Sequence, residues 1–236
     1  MAKSNVAHPG SALGEAVGKL IERSLSLAVQ EVAVRLRCFV YSSSLKNHMD
    51  NKHQIDIVIS DQDRRPLVLI EPKFLRYTKH NWDKGSRLCI AHHSLRRSYP
   101  SIRKSIGVLA GSWTQASLDF IESFGVEIHR IPFDHVADVM GSFGVGFRWS
   151  ERDKAASQKA WDVFDGLSPE AKTAIAEALT GPVREAVTRS VARTLQVDPN
   201  APKRIAAVEL SLRTTDGEYL VYGSTSVQDA MQRLLS

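Results

Sequence analysis

Cysteine is scarce: Cys38 and Cys89 are the only two in 236 residues. That excludes a disulfide framework, and it excludes a structural zinc site built on several closely spaced thiolates. A reducing cytoplasm is the expected setting. Long apolar runs are missing too, and none approaches the roughly 18 residues that span a bilayer, so no membrane partner is expected. The opening segment, MAKSNVAHPGSALGEAV, has no apolar stretch of the kind a secretory signal needs. With 9 prolines and 14 glycines, the chain is neither collagen-like nor of low complexity. No internal repeat is evident. A large excess of one charge is also lacking, because 31 Lys and Arg stand against 26 Asp and Glu, a net +5. That excess is too small to imply a polyanionic partner.

Its distribution says more. Between Lys73 and Lys104 there are nine basic residues, Lys73, Arg76, Lys79, Lys84, Arg87, Arg96, Arg97, Arg103 and Lys104, against the single acid Asp83. This stretch therefore holds +8, and the rest of the chain sums to −3. From Ser150 onward the bases number 11 and the acids 12. A local basic excess is what a surface that meets a polyanion carries. A merely solvated charged face is the competing explanation.

Residues 1–10 read as a flexible N-terminus. Ser11 is the expected N-cap of a helix to about Arg37, whose apolar positions Leu13, Val17, Leu20, Ile21, Leu25, Ala28, Val32 and Leu36 follow helical spacing. Cys38–Tyr41 reads as a short strand and residues 42–52 as a polar loop. A second strand holds Ile55, Ile57 and Ile59. The turn over residues 61–66 leads to a third, Leu67–Ile70, and two strands so joined pair as an antiparallel hairpin. A helix over residues 83–97, with Leu88, Ile90, Ala91 and Leu95 inward, precedes a strand at residues 106–110. Then come a helix over residues 115–124 closed by Gly125, and a strand at residues 126–131. The order α-β-β-β-α-β-α-β implies an α/β fold, a mixed sheet flanked by helices. Gly141–Gly146 reads as a turn. Helices follow over residues 151–167 and 169–195, with a break expected at Gly181-Pro182. A linker over residues 198–202, a hairpin turning at Thr215-Asp216-Gly217, and a short helix over residues 226–235 complete a C-terminal addition. The expected units are a flexible N-terminus (1–10), a core (11–149) and a C-terminal helical and β-hairpin region (150–236).

The hairpin carries the most informative residues. Glu71 and Lys73 are two apart, so a strand points both to one face. An antiparallel partner brings Asp56 beside Glu71. Two carboxylates so close repel unless something positive lies between them. A hard divalent cation fills that role with carboxylate, backbone carbonyl and water ligands.

Asp56, fourteen intervening residues, then Glu71-Pro72-Lys73 resembles the D…(D/E)-x-K signature of the PD-(D/E)XK nuclease superfamily, which has the restriction-endonuclease-like fold. The helix before the hairpin and the helix, strand, helix and strand after it match too, over roughly residues 11–132. Two departures stand out: Ile55 occupies the place of the usual proline, and Pro72 sits inside the motif, where it cannot donate to a sheet ladder. The resemblance implies an endonuclease that leaves 5′-phosphates. Asp56, Glu71 and the Pro72 carbonyl would hold Mg²⁺, Mn²⁺ substituting, and Lys73 would assist the attacking water. It also implies a further acid from the first helix, Glu15 or Glu22, with Glu15 preferred because it lies nearer the helix start. Arg76, Lys79, Lys84, Arg87, Arg96 and Arg97 are the expected phosphate contacts. His92 and His93 read as phosphate contacts or plain helix residues, and no histidine pair has metalloprotease spacing. Cutting both strands of a duplex implies a homodimer. Restriction-type or defence cleavage is the first expectation, with a Holliday-junction resolvase or repair nuclease beside it. From other classes come a non-catalytic DNA-binding module and an interaction protein.

Overall fold

Helical spacing makes the first helix: its buried residues Leu13, Val17, Ile21, Leu25, Val29 and Ala33 form one stripe. In the computed structural model, which describes residues 8–198, 201–202 and 204–235, this helix is α1 (Pro9–Arg35). Pro9 stands in its first turn, where a missing N–H costs nothing, so the helix starts ahead of the expected Ser11 cap. Of the N-terminus expected to be flexible, residues 1–7 lie outside the described residues, and Pro9 and Gly10 are helical.

A five-stranded mixed sheet follows. Strands β1 (Phe39–Lys46), β2 (Lys52–Ser60) and β3 (Pro66–Leu75) run antiparallel in turn. Strands β4 (Lys104–Gly111) and β5 (Glu127–Pro132) continue parallel to β3, giving the order β1-β2-β3-β4-β5. The polar segment expected as a loop over residues 42–52 is instead the second half of β1 and the turn into β2. An edge strand exposed along alternate residues tolerates its serines.

Helices α2 (Asn81–Ser98) and α3 (Gln115–Ser123) cross over between the parallel strands. Their apolar sides, with Leu88, Leu95, Leu118 and Ile121, cover Leu69 and Leu109 on one sheet face. The other face, Ile57, Ile59, Val68, Ile70, Ile106 and Val108, packs with α1. It also packs with α4 (Phe133–Ser142), α5 (Lys154–Asp165) and α6 (Pro169–Leu195). Ile90, expected inward on α2, is 59% exposed, and its neighbours Cys89, Ala91 and His92 are the buried residues.

Helix α6 runs unbroken through Pro182, against the break expected there. Proline removes the N–H that would reach the carbonyl four residues back, Ala178. In the fold, His135 Nε2 lies 3.0 Å from that Ala178 oxygen and supplies the missing donor. Val183 and Val187 stay buried beyond the proline, so packing keeps both halves in line.

The chain forms two compact units, Met1–Gln196 and Val197–Ser236. The break expected near residue 150 falls inside the first, because α5 and α6 belong to the same core as α1. Of the expected linker, residues 199 and 200 lie outside the described residues. The second unit is an antiparallel hairpin of β6 (Val208–Arg213) and β7 (Tyr219–Ser224), followed by α7 (Val227–Leu235). Gly217 makes its turn at φ 98°, a backbone that side chains disfavour.

Candidate active site

Strand β2 pairs with β3 from Ile59–Val68 to Ile57–Ile70, and the ladder ends there. One further step in the same register sets Asp56 opposite Glu71. Beyond that point β2 stays with β1 while β3 stays with β4 through Leu75, so the two strands part at the two acids. Pro72 is accommodated because β3 has lost its neighbour on one side but keeps β4 on the other.

The pairing of β1 with β2 slips at the same place. Tyr41 faces Val58 and Ser43 faces Ile55, which leaves Asp56 and Ile57 together opposite Ser42. An extra residue of this kind kinks a strand and re-aims a side chain. Ile57 enters the core under α1, and Asp56 turns toward a cavity.

Lys73 Nζ ties the two acids together. It lies 3.0 Å from Asp56 Oδ2 and 2.8 Å from Glu71 Oε1. The other Glu71 oxygen, Oε2, lies 3.2 Å from His92 Nε2. Both Glu71 oxygens are thus held, though the residue is only 7% exposed. Burial works against charge on Glu71, but the His92 hydrogen bond and the Lys73 ammonium outweigh it and lower the pKa below the usual glutamate value. Burial likewise works against charge on Lys73, and the two carboxylates outweigh it, so its pKa is raised. Asp56 ends differently. Burial dominates over the Lys73 attraction, and its pKa lies above the ordinary aspartate value.

The helix acid splits from expectation. Glu15, the preferred candidate, pairs with Lys19 at 2.7 Å on the exposed surface of α1. Glu22, half-buried, feels the charges of Asp56 and Lys73, and burial followed by repulsion from Asp56 raises its pKa. Glu22 is therefore the helix acid that shares the electrostatics of the trio. Both glutamates line the cavity.

That cavity encloses about 1120 Å³. Asp56, Pro72, Lys73 and Phe74 form its sheet wall, and the first half of α1 forms another. Arg76, Tyr77, His80, Lys84, Trp149 and Lys154 line the rest.

The expected phosphate contacts divide. Lys84 lines the cavity and is exposed. Arg76 also borders it but is engaged elsewhere: Nη1 donates to the Phe147 carbonyl at 2.6 Å and Nη2 to the Trp149 carbonyl at 2.7 Å. Its guanidinium carbon stacks 3.6 Å over the Trp149 ring. Arg76 therefore clamps the segment around Phe147 to the end of β3. Lys79 pairs with Glu151, and Arg87 pairs with Asp83 at 3.0 Å. Arg96 reaches the Gly125 carbonyl at 3.3 Å, and Arg97 is exposed on the last turn of α2. Three bases of the +8 stretch, Lys73, Lys79 and Lys104, are thus answered by acids from outside it, Asp56, Glu71, Glu151 and Glu127.

His92, expected as a phosphate contact or a plain helix residue, is instead buried against Glu71 and cannot reach a phosphate from there. It sits on the stripe Gly85, Leu88, His92, Leu95, whose three- and four-residue steps mark the buried side of α2. A histidine on that stripe is the signal that was available.

The two carboxylate oxygens that meet at Lys73 Nζ converge on one cationic point, as a divalent cation between them would require. Among the described residues no group of three or more His, Cys, Asp or Glu side chains has metal-binding geometry. The side chains that converge at this point are two carboxylates, and carboxylates completed by waters suit a hard ion. Among the described residues no helix is long and apolar enough to cross a membrane. No known family, curated protein or solved structure matches the chain.

Proposed function

We propose that this protein is a metal-dependent phosphodiesterase acting on DNA, built on a restriction-endonuclease-like core. The observation that carries the reading is the convergence of Asp56 and Glu71 on one cationic point, at the wall of a cavity and at the place where β2 and β3 part. Asp56, Glu71 and the Pro72 carbonyl would hold Mg²⁺ or Mn²⁺, with Glu22 nearby. When bound, such an ion lowers the pKa of a coordinated water and steadies charge on the phosphate.

The chain's own groups do the remainder. Lys73 keeps its proton, held there by two carboxylates. In that site the Lys73 ammonium would orient the attacking water and stabilise charge growing on the phosphate. Lys84 and Lys154, on the same cavity, supply sequence-independent phosphate contacts. Glu71 is buried and held on Oε2 by His92, so a ligand would need to displace only Lys73 from Oε1. Cutting both strands of a duplex with one site per chain takes two copies, so a homodimer belongs to the proposal. A reducing cytoplasm suits the two unpaired cysteines. Restriction-type or defence cleavage fits this assembly, and a four-way junction offered beside a linear duplex separates it from junction resolution.

The test uses supercoiled plasmid with Mg²⁺, with EDTA, and with the variants Asp56→Ala and Lys73→Ala. Nicking or linearisation by the wild type alone, abolished by EDTA, is expected. Equal cutting by all three proteins sinks the assignment.

A second reading has its own observation. One lysine bridging two acids is also what a structural ion-pair cluster looks like, and a non-catalytic DNA-binding module would keep the fold and the basic surface. It predicts salt-dependent DNA binding and no cleavage in Mg²⁺ or Mn²⁺.

A further inference from the structure

We infer that His92 is the positioning residue of the site: it holds the Glu71 carboxylate in the orientation that a divalent cation meets. This rests on the metal-site reading above and goes beyond it, because His92 touches neither the cavity nor the proposed ion.

The argument starts from burial. His92 has 0% exposure and Glu71 has 7%, so neither relies on water for its hydrogen bonds. A buried carboxylate must find donors within the protein. Glu71 has two, Lys73 on Oε1 and His92 on Oε2. The lysine is the changeable one, because it also serves Asp56 and carries the chemistry. The histidine is the fixed one. It is set on α2 by the same buried stripe as Leu88 and Leu95, which pack against the sheet.

The ring's other nitrogen settles how it works. Nδ1 is buried with no hydrogen-bond partner among the described residues. In the neutral ring one nitrogen bears the proton and the other accepts. A carboxylate oxygen 3.2 Å from Nε2 can only accept, so the proton sits on Nε2. The reverse tautomer would set two lone pairs against each other at Glu71 and leave a buried N–H without an acceptor. His92 thus acts as a single-purpose donor. Outer groups of this kind orient a ligating carboxylate, and losing one commonly weakens metal binding about 10–100-fold.

The experiment measures Mn²⁺ affinity of the full chain by calorimetry, with melting temperature alongside, for the wild type, His92→Leu and His92→Gln. Leucine fills the buried space without donating, and the glutamine amide can donate from near the Nε2 position. The expected result is a roughly 10–100-fold weaker affinity in His92→Leu and recovery of most of it in His92→Gln. A role in packing alone predicts the opposite order, since leucine is the better filler of an apolar stripe. If His92→Leu does not fold, His92→Gln decides: near wild-type affinity supports the inference, and affinity weakened tenfold or more overturns it. Unchanged affinity in a folded His92→Leu also overturns it. A wild type that binds no Mn²⁺ fails the metal-site reading itself, which is a different result from a wild type that binds while the variants bind equally well.

Discussion

Two clusters of nearly the same composition sit on the central sheet. Midway along β3, Glu71 meets Lys73 and His92. On β5, Glu127 meets Lys104 at 2.9 Å, His129 at 2.8 Å and Ser190 at 2.9 Å. Each centres on a glutamate with one lysine and one histidine, yet they differ in balance. Burial opposes charge on Glu127, but its three donors outweigh it and lower its pKa. That cluster is closed: one acid, both oxygens satisfied, and α6 fastened to the sheet through Ser190. The β3 cluster has a second acid on the same lysine and a third within its field. Asp56 and Glu22 both keep pKa values above their ordinary ones, because burial and like charge are not fully answered. The β3 cluster thus carries more partly buried negative charge than its one lysine answers, and the β5 cluster does not.

The largest expected effect breaks the pair apart by activity. Asp56→Ala or Lys73→Ala should lower DNA cleavage by about 10²–10⁴-fold, the range for losing a group engaged in the transition state. Glu127→Gln should leave cleavage within about twofold while destabilising the fold by about 1 kcal/mol, roughly 2–4 °C in melting temperature. A Glu127 variant as inactive as the Asp56 variant would erase the distinction drawn here.

Arg76 sharpens the comparison next. Arg76→Lys cannot reproduce the fork onto Phe147 and Trp149, so a loss of about 2 kcal/mol in denaturant unfolding is expected. Lys84→Ala should leave stability unchanged and reduce the slope of log affinity against log salt by about one contact. Equal stability loss in both would mean that Arg76 is not the clamp.

Stability against pH gives the finest separation. Asp56 has a folded pKa raised above its unfolded value, so its charged form disfavours folding at neutral pH, and that cost fades as pH falls through the folded pKa. Glu127 has a lowered folded pKa, so its contribution is present above the unfolded value of about 4.5 and is lost as pH falls through the folded one. Asp56→Asn should therefore raise the melting temperature at pH 7, with the advantage shrinking in acid, whereas Glu127→Gln should lower it. Two shifts of the same sign at pH 7 would contradict the assignment of surplus charge to the first cluster alone.

The sequence carried the hairpin because a strand's period is short and strict. Asp56, Glu71 and Lys73 needed only the two-residue alternation and a turn to be placed together. The order of helices and strands through residue 131 was legible for the same reason, as Leu13, Val17 and Ile21 declare their period locally; the alternation of Ile57 and Ile59 does not extend to Ile55, because the bulge at Asp56 turns Ile55 to the opposite face. What was not legible depended on distant partners. Pro182 sits inside a helix because His135, far away in sequence, donates to Ala178. Helix α4 was not anticipated, since Gly141 and Gly144 drew residues 141–146 toward a turn, while Val136, Ala137 and Met140 reveal their stripe only against the core. Glu22 rather than Glu15 shares the electrostatics of the site, while Glu15 is taken up by Lys19 one turn on, which the sequence alone does not decide. His92 was read as a phosphate contact or plain helix residue because a buried histidine and a surface one look alike until the facing carboxylate is known.

The most direct measurement is a crystal structure grown in Mn²⁺, with anomalous scattering used to locate the ion. The account predicts an anomalous peak bound by Asp56 and Glu71, with Lys73 Nζ withdrawn from at least one carboxylate and His92 still on Glu71 Oε2. A structure in saturating Mn²⁺ with no peak there, and with Lys73 still bridging both acids, would contradict it.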